Sequence, residues 1–232
     1  MTADIPAVPE SIPVTDALTL IAIDERYVSD LHQLVVKNQR WLQQSLSWPA
    51  EVRSEDETRR HVQGNVMLHQ RDYAKMFLLF LDKQLVGVLS FNQIEPQNKT
   101  AYIGYWIDEE HQGQGLLSRS LQAFIRHYAA SGLVRRFVIK CRVANTRSNQ
   151  VALRNGFVLE GCLRQAEYLK GSYDDQNIYA RIIDRDEALK RALQRRAGDV
   201  LLAVKRFRAA QMNGLSLLCG NLHLVIDGDL VL

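Results

Sequence analysis

The chain has 232 residues, 47% apolar and 24% charged, an ordinary balance for a globular protein and enough length to bury a sizeable core. Its net charge of +3 is uneven: residues 185–212 hold eight Lys/Arg against three Asp/Glu, residues 213–232 hold only Asp227 and Asp229, and the first 184 residues balance. A balanced body gives no reason to expect nucleic-acid binding. No apolar run approaches a membrane span and no signal-peptide pattern opens the chain, so a cytoplasmic protein without a membrane partner is expected.

Residues 1–14, with Pro6, Pro9 and Pro13, read as a flexible arm. Ala17 to Ile23 alternates and predicts a first strand. Val28, Leu31, Leu34, Val35 and Leu42 recur at helical spacing. A second helix is predicted from Ser54, because Ser54-Glu55-Asp56-Glu57 has the capping-box form, with Val62, Val66 and Met67 as its buried stripe. Between the two helices lies WLQQSLSWP. Its Trp41 and Trp48 fit two readings, a groove for a peptide or packing of the helix pair onto a sheet.

Lys75 to Leu81 and Leu85 to Asn92 read as a hairpin about Asp82-Lys83-Gln84, and a polar turn at Glu95 to Lys99 leads into Thr100 to Ile107, TAYIGYWI. The three runs predict an antiparallel meander. Asp108 to Leu117, DEEHQGQGLL, follows directly. A strand, a loop with Gly113 and Gly115, and a helix start form an anion-binding arrangement, since first-turn N–H groups point outward and the dipole favours negative charge. The loop lacks the Gly-Lys-Ser/Thr ending of a P-loop and the third glycine of a dinucleotide fingerprint, so a phosphorylated ligand of another kind is expected.

Leu117, Leu121, Phe124, Ile125, Tyr128 and Ala129 then form one helical face, which Gly132 stops. Arg136 to Val143 is a strand, and a strand–helix–strand crossover predicts that the flanking strands are parallel neighbours. Asn145 to Leu153 predicts a shorter helix ended by Asn155-Gly156. Phe157 to Tyr168 and Asn177 to Ile183 predict two more strands joined by a polar turn at 170–175. The tally is an α/β sandwich with a mixed, mostly antiparallel sheet of about seven strands and helices on it. Beyond it, Leu189, Leu193, Ala197, Val200, Val204 and Phe207 predict a basic amphipathic helix, followed by short apolar segments. The layout is an arm (1–14), one domain (15–184) and a C-terminal extension (185–232). Three cysteines, Cys141, Cys162 and Cys219, cannot all pair and fit no metal spacing, so reduced thiols and no metal are expected.

The order strand, HQGQGLL, helix, RFVIKCRV, NTRSNQVALRNGF resembles the GNAT superfamily of acetyl-CoA-dependent N-acetyltransferases. That superfamily marks its CoA loop with Gln/Arg-x-x-Gly-x-Gly/Ala. Gln112 and Gly115 match, whereas Leu117 departs at the last position. Within it, WLQQSLSWP, VQGNVMLHQR, IGYW, HQGQG, SNQVALRNGF and LEGCLRQAEYL look like the bacterial ribosomal-protein-serine acetyltransferase subgroup (RimL type), over about Leu18 to Asp184. The resemblance implies a sheet splayed at one parallel pair, acetyl-CoA as co-substrate, a protein N-terminus of the ribosomal stalk as acceptor, and often a homodimer. A small-molecule or polyamine acceptor, or a non-catalytic CoA sensor, are the alternatives.

On that resemblance the CoA pyrophosphate sits on the backbone of Gln112, Gly113, Gln114, Gly115, Leu116 and Leu117, with Asn145 and Asn149 reaching the pantetheine arm. The N–H near Ile107 meets the developing oxyanion. Glu109 is the favoured base, with Glu110 beside it. Ser148 is either the proton donor to the departing thiolate or a helix cap. Tyr173, Asp174 and Tyr179 gate the acceptor side by the same likeness.

Overall fold

The computed structural model describes residues 10–183, which lie in the first of two compact units of the chain, Met1–Arg185. The predicted helix and apolar segments of 185–232 fall outside the described residues.

Strands β1 (Ser11–Pro13), β2 (Leu18–Ala22), β3 (Lys75–Leu81), β4 (Gln84–Glu95), β5 (Thr100–Ile107), β6 (Arg136–Arg142), β7 (Val158–Leu169) and β8 (Ser172–Ile182) form one sheet. Its order is β1-β2-β3-β4-β5-β6-β8-β7. The β5–β6 pair is parallel, as the crossover demands, and the other pairs are antiparallel. Helices α1 (Val28–Leu42) and α2 (Glu55–Gln70) cover one face, and α3 (Leu116–Ser131) covers the other, with α4 (Thr146–Arg154) after β6.

Two apolar clusters hold these layers together. Phe77, Leu89, Phe91, Ile103, Phe137 and Ile139 pack with Leu121, Phe124 and Tyr128 of α3. Leu78, Val88 and Trp106, one residue out of step with these, pack with Leu31, Leu34 and Val35 of α1 and Val62 of α2. The period of two along each strand thus feeds opposite layers. Local signals set the ends: Ser54 and Glu57 form the capping box, and Gly132 closes α3 in the left-handed region at φ 78. Asp82 and Lys83, at φ 46 and 70, make the two-residue hairpin turn between β3 and β4.

Three expectations change. The arm is not loose throughout: Ser11–Pro13 pairs with β2, and Ile12, 5% exposed, joins the core opposite Leu20, which brings the sheet to eight strands. Met67 is 49% exposed, because α2 buries Thr58, Val62 and His69 instead. The polar stretch 170–175 is mostly strand, since the turn shrinks to Lys170-Gly171 at φ 50 and 84. The β7–β8 hairpin is largely exposed, so its strands lack the apolar alternation that would mark them.

Candidate functional site

The parallel pairing of β5 and β6 runs from Thr100–Arg136 to Ile103–Ile139 and stops there. Beyond it β5 stays with β4 as far as Ile107, while β6 stays with β8 as far as Arg142. The two strands therefore part between Gly104–Ile107 and Lys140–Arg142. Asp108 N–H donates to Val86 O on the β4 side. Backbone alternation then turns the Ile107 N–H to the opposite edge, into the gap. A cavity of about 930 Å³ occupies the gap and reaches both faces of the sheet; Ile107, Gln112, Gly113, Gly115, Leu116, Leu117, Asn145 and Ser148 line it.

Gly113 and Gly115 stand at φ 74 and 71, which L side chains adopt only with strain. Gly115 is the N-cap of α3 and has no side chain to satisfy the first turn, so those N–H groups are left uncapped, an arrangement that suits an anion. The Gln112 Nε2 is buried without a partner among the described residues. An uncapped helix start, an unpartnered amide and exposed strand backbone together fit a pyrophosphate joined to an amide-bearing arm. Gln114 braces the loop instead of lining the cavity: its Nε2 donates to Glu110 O at 3.3 Å and its carbonyl accepts from Arg119 at 3.2 Å.

The loop is anchored by Asp108, whose side chain is fully buried and takes Lys37 Nζ at 2.9 Å and His111 Nδ1 at 2.8 Å on one oxygen. Burial alone would raise this carboxyl. Hydrogen bonds from Lys37, Asn38 and His111 outweigh it and hold the group below the usual carboxylate range. Asn38 also accepts from the Glu109 N–H at 2.9 Å, so α1 holds the entry to the loop at two points.

Around the gap, Tyr105 Oη lies 2.9 Å from Ser148 Oγ. Asn145 Oδ1, not Ser148, caps α4, accepting from the Ser148 N–H at 3.1 Å. The Ser148 hydroxyl is thereby released from the capping role that the sequence left open. Burial pushes the Tyr105 phenol up and the Cys141 thiol up to about 11, with a hydrogen bond from Ser148 opposing each. Asn149 lies beneath this group. Its Nδ2 donates to Asn145 O at 2.7 Å and its Oδ1 accepts from Tyr179 Oη at 2.6 Å, so its amide is engaged within the protein.

The carboxylates separate. Glu110 pairs with Lys37 at 2.6 Å, and Glu109 is exposed on the turn beside the loop, off the cavity wall. Glu167 of β7 stands on that wall and accepts from Gln176 at 2.8 Å. Trp41 also lines the cavity, with the Arg147 guanidinium 5.0 Å from its ring centre, whereas Trp48 packs on Trp106. Trp48 thus takes the packing reading, and Trp41 stands on the cavity wall. Arg142 ties Asp174 at 2.7 Å to Gln44 O at 3.1 Å and closes this side. Tyr105 was within reach of the sequence, being two residues before Ile107 on the same strand. Glu167 had no such signal, because its place follows a register shift between Leu163 and Glu167 in a polar hairpin.

Comparisons with known proteins agree with this geometry. The family described as acetyltransferase (GNAT) domain matches residues 17–158. The chain is 66% identical over 175 residues to the ribosomal-protein-serine acetyltransferase of Escherichia coli (strain K12), covering 75% of this chain and 98% of that protein. It superposes with a TM-score of 0.75, at 64% identity over 76% of this chain and 99% of the other, on RimL, a ribosomal L7/L12 α-N-protein acetyltransferase in complex with CoA, there in disulfide linkage to a cysteine. A Salmonella typhimurium acetyltransferase, described as modifying the N-terminal serine of 50S ribosomal subunit protein L7/L12, gives a TM-score of 0.72 at 63% identity, over 75% and 100% of the two chains.

Proposed function

Because this chain belongs to the acetyltransferase (GNAT) domain family, we propose that it transfers the acetyl group of acetyl-CoA to the N-terminal serine α-amine of a ribosomal stalk protein. The observation that carries this reading is a single cavity through the splayed pair, with an anion-binding loop at one end and the Glu167 carboxylate at the other face. Acetyl-CoA supplies the acyl group as a thioester, and the residues of this chain do the rest. The backbone of Gln112 to Leu117 binds the pyrophosphate, with Asn145 at the arm and Asn149 holding the turn that carries it. The Ile107 N–H stabilises the oxygen on which negative charge develops.

An α-amine, pKa ~8, loses its proton far more readily near neutral pH than a lysine, ~10.4. A carboxylate at the cavity suffices as base, directly or through water. Glu167 on the wall has the better position and Glu109 on the rim turn is its rival. Ser148, steadied by Tyr105, returns a proton to the departing thiolate. Cys141 lines the same cavity beside this hydroxyl. A ribosomal acceptor puts the reaction in the cytoplasm, and no described helix is long and apolar enough to cross a membrane. A homodimer belongs to the same reading, with apolar Val158, Leu159 and Leu163 exposed on β7, the last strand of the described sheet.

Thiol release from acetyl-CoA tests the acceptor. Release is expected with a serine-start peptide of the stalk protein and not with free lysine or polyamines. Release with polyamines alone, or tight CoA binding without release to any amine, overturns the reading. Ser148→Ala is expected to lower turnover by roughly tenfold or more while leaving the KM for acetyl-CoA nearly unchanged. Unaltered turnover would remove Ser148 from the proton path.

A further inference from the structure

On the face of the sheet that carries α1 and α2, the cavity floor contains Asn92, Gly104 and Trp106. The pairing of β4 with β5 shifts register between Phe91 and Gln93, so β4 carries one extra residue at this point. Such bulges bend a strand and re-aim its side chains. Here the shift leaves Asn92 and Gln93 exposed between buried Phe91 and Ile94, and both bulge residues line the cavity.

The Asn92 amide is set by two neighbours. Ser90 Oγ donates to Asn92 Oδ1 at 2.7 Å. The amide also covers Gly104, opposite Ser90 in the ladder: a Cβ on Gly104 would lie 2.6 Å from Asn92 Nδ2 and 2.7 Å from Oδ1. A side chain there would have to displace the amide, so only glycine lets the amide lie against the β5 backbone. Gly104 itself is the first residue beyond the parallel pairing, where the gap opens. With Oδ1 engaged by Ser90, the group left for a ligand is the Nδ2 donor.

We infer that Asn92 is a positioning residue for the acceptor: its Nδ2 donates a hydrogen bond to the first peptide carbonyl of the incoming N-terminus, with Ser90 and the bare Gly104 backbone holding the amide in place. This rests on the protein-acceptor reading above. A free α-amine followed by a peptide unit has a carbonyl a few bonds from the reacting nitrogen, and an amide donor on the cavity floor recognises that carbonyl without discriminating side chains. It also gives a peptide N-terminus something that a polyamine lacks.

Steady-state kinetics of the full chain, with a serine-start peptide and acetyl-CoA varied in turn, test this. Asn92→Ala is expected to raise the peptide KM roughly threefold to tenfold, the worth of one neutral hydrogen bond, with turnover and the acetyl-CoA KM within about twofold of wild type. Gly104→Ala is expected to do the same, since the new methyl takes the place of the amide. The double variant is expected to be no worse than the stronger single, because the methyl then fills the volume the amide left. An unchanged peptide KM in Asn92→Ala overturns the inference while leaving the function intact, as does a rise in both KM values, which signals a distorted strand. Additive single effects overturn it too. Wild-type protein inert toward the peptide overturns the acceptor reading and this inference with it.

Discussion

Replacing Glu167 by Gln is expected to lower turnover on a serine-start peptide roughly a hundredfold, with the acetyl-CoA KM little changed, because positioned proton transfer contributes about 10²–10⁴ in rate. The substitution preserves size and the contact with Gln176, which donates to Glu167 Oε2 at 2.8 Å. It removes the negative charge and with it the ability to accept a proton. Glu109→Gln is the paired experiment, since Glu109 is exposed on the rim turn and off the wall of the cavity. A loss of less than about threefold is expected there. A larger loss in Glu109→Gln than in Glu167→Gln would reverse the two roles and return the base to the loop. The pair is informative because both variants change charge equally and differ only in where the carboxylate stands.

Asp108→Ala is expected to destabilise the fold by about 2–4 kcal/mol, since it strands the Lys37 and His111 contacts of a fully buried carboxylate. For a domain of this size that corresponds to a fall of roughly 10 °C in the thermal midpoint. It is also expected to weaken acetyl-CoA binding, because Asp108 fixes the strand end from which the loop starts. Asp108→Asn keeps the shape and is expected to fall between. The folded carboxyl is held below its ordinary value of 3.8, so its stabilisation is complete above that value and disappears as pH falls through the lower, folded value. Acid unfolding followed by circular dichroism is therefore expected to show a smaller loss below about pH 4 for Asp108→Asn than for wild type. Superimposable acid profiles would show that the Asp108 pairings contribute nothing.

Much of the fold was legible because its signals are local. Ser54 and Glu57 are three apart and announce the start of α2. The apolar face Leu121, Phe124, Ile125 and Tyr128 is buried as its spacing implied. The crossover from β5 through α3 to β6 fixed the parallel pair, at whose end the two strands part. The loop was equally readable, since Gly113 and Gly115 adopt positive φ where the pattern asked for close backbone approach.

The amino-acid sequence by itself determined most of the elements, the order that makes β5 and β6 parallel, and a glycine loop at a helix start. Each of these follows from propensities and periods within a dozen or so residues. Which side chains meet at the gap was decided only by the tertiary structure. Tyr105 and Ser148 are 43 residues apart, and Lys37 and Asp108 are 71 apart. Glu167 and Asn92 reach the cavity through register shifts in β7 and β4. A shifted register moves a residue without changing the local pattern, and a hairpin exposed along most of its length has little burial period to read.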